Sequence, residues 1–540
     1  MAYQCPSRTD LSPSHAHEED IPGTVNLAAK EGDDTGYGQA LFPVPALDPN
    51  DPLQWSNFKK TMILVICSVY SFLGNSALVG PSPYLGIWAA EFQVEPTDSS
   101  NLISYPNLAF GFSSLIWVPL YLKIGRRPVM LGTMLAFIAG LIGTTQATTF
   151  GGLMAARTVF SFASGVCEAL PVQLVNDIFF IHERGGRIGY YTACLCLASF
   201  APLPAGYMLA AGYSWRLYFY VILAFAIAMF VVAFFCVEES SYDRKAALTA
   251  QPPSTEEVVT PPEDPPKEGH DSVVMASSFI PPRKTYIEML SLKGRVDREI
   301  PFFLTMARAF TYFLVPPALW VITTYGIYIG LGAFAMGYTF PAKIVQPPYS
   351  WDVTSSGLYA LGPTLGYLIA IPFTSTSDRL AAHLTRKNGG IREAEMRLGV
   401  LLVPMLVAPF GLFTYGMAAE RNLHWIAFFI GQGMFAWGSY LYFSFTIAYA
   451  VDSYFANTSE MLIAINIGKQ AISFGFGYKV LAWVMESGYV VVISGIFFSI
   501  LLLNNLMVIV FLIWGKNIRR FMSKSALARL HRRTMTHDEL

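Results

Sequence analysis

The chain has 540 residues, 53% hydrophobic and only 14% charged, with a formal net charge of −1. Soluble domains carry about 25% charged residues, so at a mean hydropathy of +0.43 a soluble protein of this length could not cover its surface. With the apolar residues gathered in long blocks, this excludes a nucleic-acid binder, a secreted disulfide scaffold and a plain cytosolic enzyme, and leaves a polytopic membrane protein.

Residues 1–60 are largely polar and read as a disordered cytoplasmic tail, which excludes a cleavable signal peptide in the first span. A bilayer core needs about 20 mostly apolar residues per helix. Twelve windows meet that need: 61–82, 101–122, 129–147, 150–178, 189–211, 216–237, 313–340, 353–375, 397–417, 424–450, 461–484 and 490–514. Pro316 and Pro317 crowd the start of the seventh. The segment 238–300, with six prolines between Pro252 and Pro266, reads as a cytoplasmic linker whose Pro-rich part is disordered. It separates an N-terminal six-helix half, 61–237, from a C-terminal one, 301–514, and 515–540 forms a basic cytoplasmic tail. A basic connection after span two has an echo after span eight, the mark of a duplicated six-helix unit. The expected fold is an all-α membrane protein of twelve transmembrane helices in two six-helix repeats.

Orientation follows the excess of Lys and Arg in cytoplasmic connections. One side holds Lys123, Arg126, Arg127, Arg184 and Arg187, eight cations of the linker, and Arg379, Arg386, Lys387, Arg392 and Arg397. The other holds Arg216, Lys343 and Arg421, so both termini are expected in the cytosol. The final His537-Asp538-Glu539-Leu540 resembles a retention signal read in the endoplasmic reticulum lumen, which that orientation makes coincidental. The sequon at Asn457 falls on the cytoplasmic side as well and should stay bare. Cys67, Cys167, Cys194, Cys196 and Cys236 lie in apolar blocks as small hydrophobes, and no metal-ligand spacing occurs. No Walker motif, HExxH or nucleophile elbow is present, so neither a cofactor nor a metal is expected and the chain is read as no enzyme.

Several stretches carry a resemblance. Gly125-Arg126-Arg127-Pro128 after span two resembles the loop motif of the major facilitator superfamily, and Ser377-Asp378-Arg379-Leu380 is its counterpart after span eight. Asp51-Pro52-Leu53-Gln54-Trp55-Ser56, the run from Asp177 to Gly185 and the run from Arg386 to Leu398 are similar to the fungal drug:proton antiporter-like group, in the branch with yeast polyamine and histidinol permeases. Two positions depart from the pattern. Leu122 stands where the loop motif has Asp, and Ala201-Pro202-Leu203-Pro204-Ala205-Gly206 keeps only Pro202 and Gly206 of the span-five antiporter motif.

Charges inside spans cost about 2.5–3.5 kcal/mol each on insertion scales, so each needs an account. Span four carries Arg157 and Glu168, 11 residues apart and hence on one helical face, roughly 16 Å apart along the axis. Arg157 matches the span-four arginine that resembles the family's proton-coupling motif. Glu168 is the candidate for the group that gains and loses the proton, since burial favours the neutral carboxyl. The alternative is that either residue pairs with a neighbouring helix and fixes packing. Asp177, near the cytoplasmic end, is placed to meet Arg126 or Arg127 as a conformational latch, with Gly125, Asp378 and Arg379 in the two loop motifs; the alternative is a topology-determining charge.

Span eleven offers Asn466, Lys469 and Gln470 within a turn and a half. Lys469 could neutralise an anionic substrate, pair with Glu168 across the halves, or snorkel to the inner leaflet. Tyr325 and Tyr328 of span seven, with Gln432, Trp437 and Tyr440 of span ten, could wall a site for a ring-bearing or cationic solute, or simply pack. The expected function is proton-coupled, alternating-access efflux of a small organic compound across a fungal plasma membrane, by a monomer whose partners are solute, proton and lipid. Uptake of amines such as polyamines is the alternative, an endoplasmic reticulum or vacuolar membrane is the alternative location, and a non-transporting receptor is a third reading. Such a receptor would carry a long folded tail, against which stand the 26 basic-rich residues after span twelve.

Overall fold

The computed structural model describes residues 24–26, 48–242, 284–291, 301–453 and 458–527. The Pro-rich stretch 252–266, Asn457 and the terminal tetrapeptide lie outside these residues.

Six membrane-length helices precede the linker: α1 (Asn57–Phe92), α2 (Asn101–Ile124), α3 (Arg126–Gln146), α4 (Phe150–Ile178), α5 (Glu183–Ala210) and α6 (Arg216–Cys236). Six follow it. They are α7 (Pro316–Ile344), α8 (Gly357–Lys387), α9 (Ala394–Leu402 with Pro404–Arg421, bent by 41°), α10 (Ile426–Ser453), α11 (Thr458–Ser487) and α12 (Val490–Ser523). At 1.5 Å per residue the 28 and 30 residues of α10 and α11 exceed the roughly 30 Å hydrocarbon core, although both carry polar side chains. The bundle is all-α, apart from two short strands, β1 (Thr24–Asn26) and β2 (Ile391–Glu393).

Local chemistry sets where helices start and break. Before α1 the buried Asp51 carboxylate accepts the Leu53 N–H at 2.9 Å, and the Lys60 ammonium donates to the Leu53 carbonyl at 2.9 Å. Ser56 then caps α1 by accepting the Lys59 N–H. Inside α4 the winding changes at Gly165, where a Cβ would stand 1.9 Å from Ser113 Oγ and 2.2 Å from the Phe110 carbonyl oxygen. A side chain there would push α2 and α4 apart.

The seventh span differs from its expected window, 313–340. The chain is helical from Phe302 to Leu314, extended at Val315, and helical again from Pro316. Pro316 and Pro317 have no N–H to continue the first ladder, and proline disfavours helical geometry in the residue before it. The twelfth helix runs on through Arg519 and Arg520 to Ser523.

Packing divides the helices by depth. α4 buries most of its surface, whereas α6 and α12 are the most apolar and bury least, as helices facing lipid should. The two halves meet along α2 against α11 and along α5 against α8 and α10. Gly111 makes the first seam close, since a Cβ there would lie 2.5 Å from Gln470 Cγ. Polar bonds cross between halves at both ends. Where α6 ends and α7 begins (the linker end), Gln173 accepts from Ser459 at 2.9 Å and Asn176 donates to Thr458 at 3.3 Å. Towards the opposite end, the hydroxyls of Ser104 and Tyr338 are 3.3 Å apart.

Candidate functional site

The centre of the interface holds one ion pair. Lys469 Nζ of α11 lies 2.6 Å from Glu168 Oε2 of α4, and both side chains are buried. The ammonium also sits 5.3 Å from the Tyr325 ring centroid, at cation–π range. Tyr191 of α5 donates to the Glu168 backbone carbonyl at 3.1 Å. Tyr325 is itself fixed, donating to the Phe443 carbonyl at 2.7 Å and stacking on that ring at 4.4 Å. An ion pair in so dry a place demands good geometry, because desolvation costs several kcal/mol per ion. It also joins the halves, since α4 and α11 belong to different ones.

Other buried polar groups are either paired or without a partner among the described residues. Asn107 of α2 donates to Gln470 Oε1 at 2.7 Å, so Gln470 stitches the α2–α11 seam. Asn466 Nδ2 and both amide atoms of Gln432 are buried with no hydrogen-bond partner among the described residues. Buried amides without partners are costly.

Other candidates lie elsewhere. Arg157 is fully buried but faces the interior of its own half. It donates to the Leu102 carbonyl at 2.7 Å and the Leu78 carbonyl at 3.0 Å, ringed by Trp88, Phe160 and Phe219. The single polar face drawn for Arg157 and Glu168 is therefore split, because the winding change at Gly165 interrupts the ideal 100° count. Tyr328 packs within its half against Phe435, Tyr442 and Phe443 and accepts from Asn505 at 2.8 Å. Trp437 meets Phe373 of α8 edge-on. Tyr440 crosses the halves: its hydroxyl donates to the Gly189 carbonyl at 3.0 Å and lies 2.6 Å from the Thr374 hydroxyl.

At the linker end the two loop motifs do different things. Arg126 reaches Asp177 Oδ2 with Nη2 at 2.9 Å and Nε at 3.0 Å, and Gln173 donates to Oδ1 at 3.1 Å. Arg127 points away from Asp177, donating to the carbonyls of Val237 and Phe234 at 2.7 Å each and to that of Leu290. It thereby ties the end of α6 and the linker residue Leu290 to the loop. In the C-terminal half Asp378 pairs with Arg397, not with the adjacent Arg379, which is exposed. Arg397 also engages Asp452, and Asp378 Oδ2 accepts the Gly186 N–H of α5 at 2.6 Å, which joins the halves. Gly185 leaves room for this contact, since a Cβ there would lie 2.2 Å from Asp378 Oδ1.

Sequence reasoning missed Glu239. Its carboxylate accepts the N–H groups of Arg126 and Arg127 at 3.0 Å each, capping α3 with negative charge where the helix dipole favours it. Gly125, at φ 105°, admits it; a Cβ there would stand 2.6 Å from Glu239 Oε2. The signal available was an acid just past α6 together with the missing loop carboxylate at Leu122.

Comparison with known proteins bears on the whole chain. A profile of the Major Facilitator Superfamily matches residues 64–478. An uncharacterised transporter of this type from Schizosaccharomyces pombe is 23% identical over 525 residues, covering 87% of this chain and 88% of the relative. The efflux pump vrtL of Penicillium aethiopicum is 24% identical over 443 residues, covering 79% of this chain and 80% of the pump. Among solved structures, the proton:xylose symporter XylE superposes with a TM-score of 0.55 at 13% identity, covering 85% of this chain and 96% of that one.

Proposed function

The chain belongs to the major facilitator superfamily, and from that premise we propose a proton-coupled, alternating-access carrier that exports a small organic compound, drug-like or a secondary metabolite, across a fungal plasma membrane. A transporter, not an enzyme, is what family and fold together indicate. The observation that carries the coupling is the Lys469–Glu168 pair, because it is buried and its two members sit on different halves. Rocking the halves apart draws the ammonium away. A carboxylate left alone in a low dielectric is then neutralised by a proton from whichever side is open. When the halves close again the returning ammonium releases that proton. Arg157, fixed by backbone carbonyls, supplies a constant positive charge along α4 on the side away from the linker.

Asn466 and Gln432, with their unpartnered amides, are the proposed solute contacts. Tyr440 and Gln470 close the seams around the solute, Tyr328 and Trp437 back the wall, and Asp177, Asp378 and their arginines steady the closed linker end. The concentration of cations at that end supports placing it, and both termini, in the cytosol. The carrier is read as acting as a monomer, since the proposed coupling pair and solute contacts all lie within one chain. Export is supported by the name of the Penicillium relative, an efflux pump.

A second reading, uptake of an amine, has its own observation: Glu168 already holds an ammonium beneath an aromatic ring, the chemistry a protonated amine requires. Counterflow of labelled compounds in proteoliposomes under an imposed pH gradient separates the readings. Export predicts drug-like or metabolite substrates driven against the proton gradient, amine uptake predicts polyamines driven with it, and gradient-independent flux for a broad panel contradicts coupling.

A further inference from the structure

The N-terminal segment reaches the far half of the molecule. β1 pairs antiparallel with β2, which lies between α8 and α9, with Thr24 opposite Glu393, Val25 opposite Arg392 and Asn26 opposite Ile391. Side chains reinforce the pairing. Arg519 at the end of α12 donates to Thr24 Oγ1 at 3.4 Å, while its guanidinium also binds Glu395. Lys516 meets Glu393 at 2.7 Å. The same chain re-enters the N-terminal half at Asp48, which accepts from the Tyr242 hydroxyl at 2.8 Å. One stretch of chain is thus fastened to the C-terminal half at Thr24–Asn26 and to the N-terminal half from Asp48 onward.

The strand that receives it is wired to the contact between halves. Arg392, opposite Val25, reaches Asp452 at 3.5 Å. Asp452 holds Arg397, Arg397 holds Asp378, and Asp378 accepts the Gly186 N–H of the other half. Charge lies at the contact as well: Lys516 on Glu393 and Arg519 on Glu395 flank the receiving strand, and Arg519 also reaches Thr24. Opposite charges at a contact set its register and favour its own partner over others. Strand addition supplies the rest, because main-chain bonds give affinity without needing a deep pocket.

We propose that Thr24–Asn26 is a strap. By adding a strand to β2 it stiffens the loop between α8 and α9, holds Arg392 and Arg397 on Asp452, and so keeps Asp378 on Gly186 with the linker end shut. Release of the strap lowers the barrier to opening on that side. The inference rests on the alternating-access reading, but its test follows backbone protection, not transport, so the two can fail separately.

Hydrogen–deuterium exchange of the purified full chain, compared with a form lacking residues 1–30, reads the Gly186 amide directly. Removing the strap should raise exchange in the segment around Gly186 on the order of tenfold, and a synthetic peptide of residues 16–30 should restore protection. Adjacent strand residues point their N–H groups to opposite edges, so of Val25→Pro and Asn26→Pro in the full chain at least one should reproduce the effect without any truncation. If exchange rises only at Ile391–Glu393 while the Gly186 segment is unchanged, the strand docks without holding the ends together and the proposal is wrong. Failure of both the peptide and the proline variants to alter Gly186 protection overturns it equally.

Discussion

Glu168 and Lys469 form a buried pair of opposite charges. Removing one partner of a buried pair leaves an uncompensated ion and costs about 3–5 kcal/mol, whereas removing both is often close to neutral. Lys469→Met alone should therefore lower the thermal midpoint of the detergent-solubilised protein markedly, and Glu168→Gln/Lys469→Met should recover most of the loss. Strictly additive losses in that cycle would mean the two groups do not interact as the 2.6 Å contact implies. Arg157 belongs to another class: its bonds are to backbone carbonyls within one half, so it binds helices of that half to each other.

At the scale of elements, α3 begins on a cap lent by the linker. Glu239→Ala strips two N–H groups of their acceptor and should cost about 1–2 kcal/mol, read as a lower thermal midpoint with faster exchange at Arg126 and Arg127. The spans themselves were legible because apolar length is a strong and local signal; even the polar α10 and α11 stand out as blocks bounded by charge. Their breaks were less so. The prolines at 316 and 317 marked the seventh span as irregular without telling where helix resumes, and Gly165 gave no warning that it turns α4. Side-chain direction was the least legible property. Tyr325 and Tyr328 are three residues apart on one helix, yet one meets Lys469 and the other packs into its own half. Lys469 and Glu168 could be named because charge in a span is rare, but three fates were open to the lysine until α11 was placed against α4. Glu239 and the β1–β2 pairing depend on contacts between segments more than a hundred residues apart, which no local pattern encodes.

The whole molecule is two six-helix bodies in contact at both ends and pinned at the middle by opposite charges. Closure at the linker end runs through Asp378 and Gly186, through Tyr440 and Gly189, and through α4 against α11. Under the proposed mechanism, motion of one body against the other breaks the central pair and makes a proton a partner of the motion. Neutralising the carboxylate should uncouple the two. Reconstituted Glu168→Gln protein should exchange labelled solute across the bilayer at a rate comparable to the unaltered protein, yet fail to concentrate it when a pH gradient is imposed. Concentrative, gradient-driven transport surviving in that variant would contradict the account.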